Sequence, residues 1–169
     1  MAKATAKRKL KAAPRGTARK SSARRAVKAA AKPRPKAKRP RKQTFVASHL
    51  KDAKFEQGLR RYAHYRDLGV AAATGGLAQA HVIRLIPPCD PAEVSKRHYH
   101  DVDFQMIYVL KGWMKGEYEG AGVVTMHAGS CWLQPPRIKH TVLDYSDDCE
   151  VLEVILPADF ATVTVAEEG

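Results

Sequence analysis

From Gly69 onward, short apolar or alternating runs are separated by turn residues. The pattern predicts seven strands of three to nine residues, punctuated by glycines, double prolines and a Ser-Asp pair. Strands of this length with such frequent turns favour a closed antiparallel sandwich or barrel over a sheet with crossover helices, and no helical pattern competes in this region. The predicted strands are residues 80–86, 102–110, 113–118, 123–127, 131–133, 140–145 and 150–156.

The strand predicted at residues 102–110 is apolar on both faces. Alternate residues of a strand point to opposite sides, so one face carries Gln105, Ile107 and Val109. A small barrel uses one face of a strand for its interior, and the other face needs a second sheet or a partner subunit. Of these two, we expect a partner subunit and thus a homodimer. The opposite face carries four large apolar side chains: Phe104, Met106, Tyr108 and Leu110.

The net charge of +13 belongs to one end of the chain. Residues 1–44 contain 18 Lys and Arg and no acidic residue, whereas the other 125 residues carry 12 basic and 17 acidic side chains, a net charge of −5. Leu10 and Val27 are the only large aliphatic residues of the segment after Met1. Such a segment cannot bury enough apolar area to offset the entropy of ordering, which predicts a disordered basic tail.

Three interpretations of this tail remain open. Its composition resembles the Lys/Ala/Pro-rich tails of linker histones and bacterial histone-like proteins, and flexible cations bind nucleic acid by releasing the counterions of phosphate. It is otherwise a solvated polycation without a dedicated role. An organelle-targeting peptide is the third interpretation, although Pro33, Pro35 and Pro40 would interrupt its helix. No base-reading module accompanies the charge, so sequence-specific recognition has no support.

Cysteine usage and hydropathy indicate the compartment. Cys89, Cys131 and Cys149 are odd in number and lack paired spacing, which suits a reduced compartment. No apolar run approaches the roughly 20 residues of a membrane helix, and the N-terminus lacks the apolar segment of a secretory signal. We expect a cytoplasmic protein with no membrane partner.

Two histidines stand one residue apart in the stretch KRHYHDVDFQMIYVLKG, residues 96–112. If His98 and His100 are extended, their rings project toward one point, as the ligands of a metal ion must. A second informative stretch, AGSCWLQPPRIKHTVLDYS at residues 128–146, contains a glycine turn, a double proline and then His140 at the start of a strand.

Together the two stretches resemble the two sequence motifs of cupins. The spacing is His98-x-His100-x4-Gln105-x6-Gly112, followed by Gly129-x5-Pro135-x4-His140. The chain is also similar to small single-domain bacterial cupins of uncharacterised function in five sequence segments: HYRDLG, HVIRLIPP, DFQMIYVLKGW, QPP and LPADF.

The resemblance implies an all-β fold, a double-stranded β-helix or jelly-roll barrel at residues 69–160. The rest of the expected organisation is the tail at residues 1–44, a lead-in segment at 45–68 and a C-terminal extension at 161–169. It also implies one divalent metal ion bound inside the barrel. The implied ligands are His98, His100, Gln105 and His140.

The chain departs from the cupin pattern at two positions. Gln105 stands where the first motif usually has Glu, and Arg137 stands where the second motif usually has Gly. A neutral amide leaves the full charge on a divalent ion, so affinity falls while Lewis acidity rises. Imidazole-rich ligation suits iron, nickel, copper or zinc, with manganese also open. The competing interpretation is an empty barrel in which the same side chains are hydrogen-bonded to one another.

Other chemistry-bearing residues have two interpretations each. His81 is either a satisfied wall residue or part of the site, and Cys131 is either a packed thiol or a nucleophile facing the cavity. Arg84 and Arg137 are solvated or ion-paired unless they meet an anionic ligand at the barrel mouth. Asp144, in register with His140, is the one acidic candidate for the ligand face, and otherwise turns toward solvent.

Three classes of function follow. The first is a metal-dependent enzyme, of oxygenase or isomerase type, acting on a small molecule. The second is a non-enzymatic cupin that senses a metal or a small ligand. The third is a polyanion-binding or nucleic-acid-binding protein that acts through residues 1–44 and uses the barrel as a scaffold. A general acid or base beside the metal would separate the first class from the second.

Overall fold

The computed structural model describes residues 42–58 and 60–165. Nearly all of the predicted basic tail, residues 1–44, lies outside this range. The described chain forms eleven strands: β1 (Glu56–Gln57), β2 (Ala63–Asp67), β3 (Gln79–Leu85), β4 (His98–Asp101), β5 (Phe104–Lys111), β6 (Trp113–Tyr118), β7 (Gly122–His127), β8 (Cys131–Leu133), β9 (His140–Tyr145), β10 (Glu150–Leu156) and β11 (Ala161–Thr164).

The strands form two antiparallel sheets, which confirms the predicted all-β fold. One sheet has the order β1-β2-β3-β10-β5-β8, and the other has the order β11-β4-β9-β6-β7. All seven predicted strands are present, with ends within two residues of the expected ones. The pattern did not predict β1, β2, β4 and β11, and the last of these joins the second sheet by pairing with β4. Their sequences are short or polar, so they lack the hydrophobic alternation by which the other strands were found.

The sequence pattern showed no helix that competes with the strands after Gly69, but it did not reveal two short ones. Two four-residue helices are present, α1 (Val70–Ala73) and α2 (Pro91–Val94). The side chain of Asp90 caps α2 by accepting a hydrogen bond from the Ala92 amide, and proline occupies the first helical position. In the described part of the chain, no helix has the length and apolar character required to span a membrane.

The core includes the face of β5 that carries Gln105, Ile107 and Val109, which the cupin resemblance placed inside the barrel. Ile107 and Val109 of β5 pack with Val151 of β10, and all three are buried. Gln105 shares this face and is 2% exposed. The opposite face of β5 is open, because three of its four apolar side chains are exposed: Phe104, Tyr108 and Leu110.

A bulge in β9 changes which residues face inward. Lys115 of β6 pairs with Asp144, but the next residue, Gly116, pairs with Val142, so Leu143 is an extra residue in the ladder. An inserted residue reverses the alternation beyond it. Tyr145 is therefore buried, and its hydroxyl donates to the carbonyl of Ile86 at 2.8 Å.

Candidate metal centre

The structure brings together the three histidines on which the metal prediction depends. His98 and His100 lie on β4 with one residue between them, and His140, the first residue of β9, is paired with His98 in the sheet. The ring centroids are 5.0 Å apart for His98 and His100, 4.4 Å for His98 and His140, and 5.2 Å for His100 and His140. One nitrogen from each ring lies within 4.8 Å of the others.

Hydrogen bonds to Nδ1 determine which nitrogen of each ring is available. Nδ1 of His98 lies 2.7 Å from the Lys96 carbonyl, and Nδ1 of His140 lies 2.9 Å from the Ile138 carbonyl. A carbonyl only accepts, so both Nδ1 atoms carry the proton and Nε2 keeps its lone pair. His100 Nδ1 is held by the Thr162 hydroxyl at 2.9 Å. Metal-binding histidines are oriented by the same kind of bond.

Burial keeps the three rings neutral. It lowers the pKa of His98 to about 3 and that of His100 to about 4, and it also lowers the pKa of His140. The positive charge of Arg60 lowers all three pKa values further, and neighbouring rings also lower those of His98 and His100. Near neutral pH all three imidazoles therefore present lone pairs, which is the form that binds a metal.

Gln105 has its amide orientation fixed by Glu153 of β10. The Gln105 amide nitrogen donates to Glu153 Oε1 at 2.6 Å, and the carboxylate demands a donor at that position. Gln105 Oε1 consequently points to the other side and accepts from Gln134 Nε2 at 3.0 Å. The Gln105 carbonyl oxygen therefore faces the interior. It is the one atom of this amide that can bind a cation.

Gln134 links this oxygen to the histidines. Its NH2 group donates both to Gln105 Oε1 and to His140 Nε2, the latter at 3.3 Å. The indole of Trp132 donates to Gln134 Oε1 at 3.1 Å and so fixes which end of the amide faces the site. The Gln134 NH2 group thus contacts the lone pairs of Gln105 Oε1 and His140 Nε2 together. A metal ion bound to both residues would contact the same two lone pairs. The donors fit a divalent metal ion, provided that the Gln134 side chain moves aside.

Glu153 is an acidic site residue that sequence analysis missed. Its Oε2 lies 2.6 Å from His81 Nε2, and the two side chains are 13% and 12% exposed. Burial raises the pKa of Glu153, but hydrogen bonds from His81 and Gln105 and the electrostatic interaction with His81 outweigh this effect, so the net shift of the pKa is downward. The alternation of β10 could have revealed it, because Glu153 stands between the inward-facing Val151 and Ile155.

Two sequence candidates lie outside the site. Asp144 is exposed, because the bulge at Leu143 turns it away from the face that carries His140. Cys131 is exposed as well, so neither of the predicted roles, a packed thiol or a nucleophile in the cavity, applies to it. Its neighbour Trp132 faces the cavity instead.

Arg84 and Arg137 are both ion-paired. Arg84 donates to Glu150 at 2.7 Å and stacks on Phe55. Arg137 donates to the Tyr99 hydroxyl at 3.1 Å, and its guanidinium lies 3.6 Å from an oxygen of Asp101. Neither residue lines the cavity that holds the histidines.

This cavity has a volume of about 340 Å³, at the small end of small-molecule sites. The three histidines, Gln105, Gln134 and the His81–Glu153 pair form its polar part, and Arg60 is a further cation on its wall. The remaining wall is aromatic and aliphatic, with Tyr62, Tyr65, Ile83, Leu85, Ile107, Met114, Tyr118, Trp132, Val142, Val151 and Phe160.

Two antiparallel sheets that enclose three converging histidines define a β-sandwich with a candidate metal site. Residues 89–155 match the family model described as the cupin domain. This match supports, for these residues, the cupin resemblance that the motif spacing predicted. Among curated proteins, none matches this sequence.

Solved structures share the fold at low sequence identity. KdgF from Halomonas sp. has a TM-score of 0.53 and 18% identity, with 68% of this chain and 94% of that chain covered. The polyketide cyclase RemF from Streptomyces resistomycificus has a TM-score of 0.56 and 18% identity, covering 74% and 89%. The Fe(II) form of HppE has a TM-score of 0.53 and 12% identity, covering 66% and 60%. These similarities establish the fold alone.

Proposed function

We propose that this protein is a metal-dependent enzyme that binds one divalent ion in the cupin interior and acts on a small molecule there. The observation that carries the proposal is the set of three neutral imidazoles whose nitrogens lie within 4.8 Å of one another. Gln105 is the proposed fourth ligand, because its carbonyl oxygen is directed inward by Glu153. When bound, the ion would supply Lewis acidity to a substrate oxygen.

An enzyme is favoured over a sensor by the His81–Glu153 pair. The pair lines the same cavity as the histidines, and its carboxylate is ionised because His81 and Gln105 both hydrogen-bond to it. A carboxylate that faces a bound substrate accepts a proton from it, and His81 is placed to stabilise or share that proton. This is the acid–base group that a sensing protein does not need.

The metal's identity is left to measurement. Three imidazoles with an amide suit iron, nickel, copper, zinc or manganese, and a neutral donor set holds any of them less tightly than one with a carboxylate. Fe(II) is the metal named for HppE, one of the proteins that share this fold. An oxygenase or an isomerase-type reaction is the proposed chemistry, depending on which ion is bound.

The test is elemental analysis of full-length protein purified without an affinity metal. We expect the wild type to contain one divalent ion per chain and both His98→Ala and His140→Ala to lose it. His127→Ala is the matched control, since His127 lies on β7 and is exposed. Metal content unchanged in His140→Ala would place the metal elsewhere. Dioxygen uptake with small diketones, phenols and thiols would then separate oxygenase from isomerase chemistry.

A further inference from the structure

Arg60 is a cation of the cavity wall without a partner. It is half-buried and lines the cavity with the three histidines. Within residues 42–58 and 60–165, no hydrogen bond or ion pair reaches its guanidinium. Four other arginines of the same range are held by Ser48 or by a carboxylate: Arg66, Arg84, Arg97 and Arg137.

The backbone at Arg60 is fixed although its side chain is unpaired. Its carbonyl accepts from the Ala63 amide at 3.2 Å and from the Gln57 side chain at 2.9 Å. These bonds hold the turn before β2 against the cavity, and Tyr62 of the same turn also lines it. A guanidinium held here presents a planar set of five donors to whatever enters.

The positive charge of Arg60 has no paired carboxylate inside the cavity among the described residues, so the cavity can accept an anionic ligand. The carboxylate of Glu153 is hydrogen-bonded to His81 and Gln105, and no ion pair joins it to Arg60 within the described residues. The positive charge of Arg60 acts on all three histidines, since it lowers the pKa of each. An unpaired cation in a partly buried site is costly unless a ligand neutralises it.

The rest of the wall determines the body of that ligand. Aromatic rings surround the site, among them Tyr65, Trp132 and Phe160, with aliphatic side chains between them. A cavity of about 340 Å³ with such walls accepts a compact apolar body and few polar groups.

We propose that the substrate is a small organic carboxylate with an apolar body. Its carboxylate pairs with the Arg60 guanidinium through two parallel hydrogen bonds, and its body packs on the aromatic walls. Its other end faces His98, His100 and His140. The placement of that end rests on the proposed function, whereas the carboxylate site itself requires no metal.

Binding of matched acids and amides to the full-length protein tests this site. The probes are phenylacetate with phenylacetamide and cyclohexanecarboxylate with its carboxamide, titrated by NMR in the presence of a chelator. Because a hydrogen bond to a charged group contributes about 1.5–3 kcal/mol, we expect the wild type to prefer each acid by roughly ten-fold or more. Arg60→Gln should remove the preference, and Arg60→Lys should keep part of it.

Arg61→Gln is the matched control, because Arg61 is the next residue, is exposed and lies outside the cavity lining. It should keep the full preference for the acids. Both variants retain the basic residues 1–44 and each loses one positive charge, so a difference between them reports the position of Arg60 and not the overall charge. Equal affinity of acids and amides for the wild type, or a preference that survives Arg60→Gln, would overturn the proposal.

Metal content measured on the same variants separates this proposal from the proposed function. Arg60→Gln should retain the wild-type metal content, because Arg60 is not a ligand. A wild type without metal that still prefers acids through Arg60 would end the metal proposal and support the carboxylate site. A wild type that binds metal but shows no Arg60-dependent preference for acids would support the metal proposal and end the carboxylate proposal.

Discussion

Gln105 occupies a position at which the cupin motif usually has a glutamate, and Glu153 supplies the physical reason. The two side chains are in contact, with the Gln105 amide nitrogen 2.6 Å from a carboxylate oxygen of Glu153. A second carboxylate at this position would face the first one inside the cavity, where like charges repel strongly. The neutral amide is therefore matched to the charge of its neighbour.

Exchanging the two groups tests this coupling. Gln105→Glu adds a charge that favours a bound cation, so metal binding should be kept or strengthened. In chelator, however, the variant should lose on the order of 1–3 kcal/mol of unfolding free energy, because two carboxylates meet. The double variant Gln105→Glu/Glu153→Gln restores a donor and an acceptor and should recover most of the loss. Denaturant unfolding of the three proteins measures this, and equal stability of Gln105→Glu and wild type would contradict the coupling.

The buried histidines predict a pH dependence of stability. In the unfolded chain a histidine titrates near pH 6.5, whereas the folded pKa is about 3 for His98 and about 4 for His100. As pH falls below about 6.5, the unfolded state binds protons that the folded state does not, so stability decreases.

Urea unfolding of the metal-free protein between pH 7.5 and about 5 should show this decrease. The lower limit of this pH window lies above the range in which most carboxylates titrate. His98→Gln should flatten the dependence, and His127→Gln on the exposed face of β7 should leave it as in the wild type. A wild-type midpoint that is independent of pH over this window would show that the histidines are not buried as described.

At the scale of elements, the loop between β8 and β9 contains a strained residue. Arg137 has φ of 62°, a left-handed conformation, at the position where the second cupin motif usually has glycine. Its amide donates to the His100 carbonyl at 3.1 Å, so this conformation helps to connect the loop to strand β4, which carries His98 and His100.

Two substitutions at Arg137 isolate the backbone cost. Both Arg137→Gly and Arg137→Ala lose the side-chain contacts with Tyr99 and Asp101, so their difference reports conformation alone. We expect the glycine variant to be more stable by about 1 kcal/mol, because an L-residue with a side chain pays roughly that amount in the left-handed region. Thermal unfolding of the pair is sufficient, and equal melting temperatures would count against strain at this residue.

At the scale of the whole molecule, the outer face of the first sheet remains open. Phe104, Tyr108 and Leu110 of β5 and Leu133 of the edge strand β8 are between 37% and 57% exposed. A contiguous apolar surface on an antiparallel sheet is typical of a contact between subunits. We propose that the expected homodimer forms through this face.

Sedimentation of the full-length protein at tens of micromolar tests the dimer. We expect a dimer for the wild type and a monomer for Tyr108→Glu/Leu110→Glu. Val123→Glu is the control, since Val123 is exposed on β7 of the other sheet and should not affect association. A wild-type monomer, or a dimer unaffected by the double substitution, would place the interface elsewhere or remove it.

Residues 1–44 give a prediction of their own. If the tail binds nucleic acid through phosphates, affinity should be similar for two unrelated duplexes and fall steeply with salt, by close to one unit of slope per phosphate. Deleting residues 1–44 should remove binding and leave metal content unchanged, because the remaining 125 residues carry a net charge of −5. A salt titration measures both proteins. Binding retained after the deletion would assign recognition to the barrel.

The sequence by itself determined the parts of this protein that depend on neighbouring residues. Alternation along a strand predicted seven strands and divided the side chains of β5 between two faces, because successive side chains point to opposite sides whatever the partner strand. Motif spacing predicted the cupin fold, and it placed His98, His100 and His140 in one candidate site.

Only the tertiary structure decided which distant residues meet these histidines. Glu153 reaches Gln105 because β10 pairs with β5 in one register, and Arg60 reaches the cavity through a turn that precedes the predicted barrel. A single extra residue in β9 decided between the two orientations open to Asp144, and it turned this side chain toward solvent. Register, bulges and the pairing of β4 with β11 arise from contacts between segments far apart in the chain, and no local pattern records them.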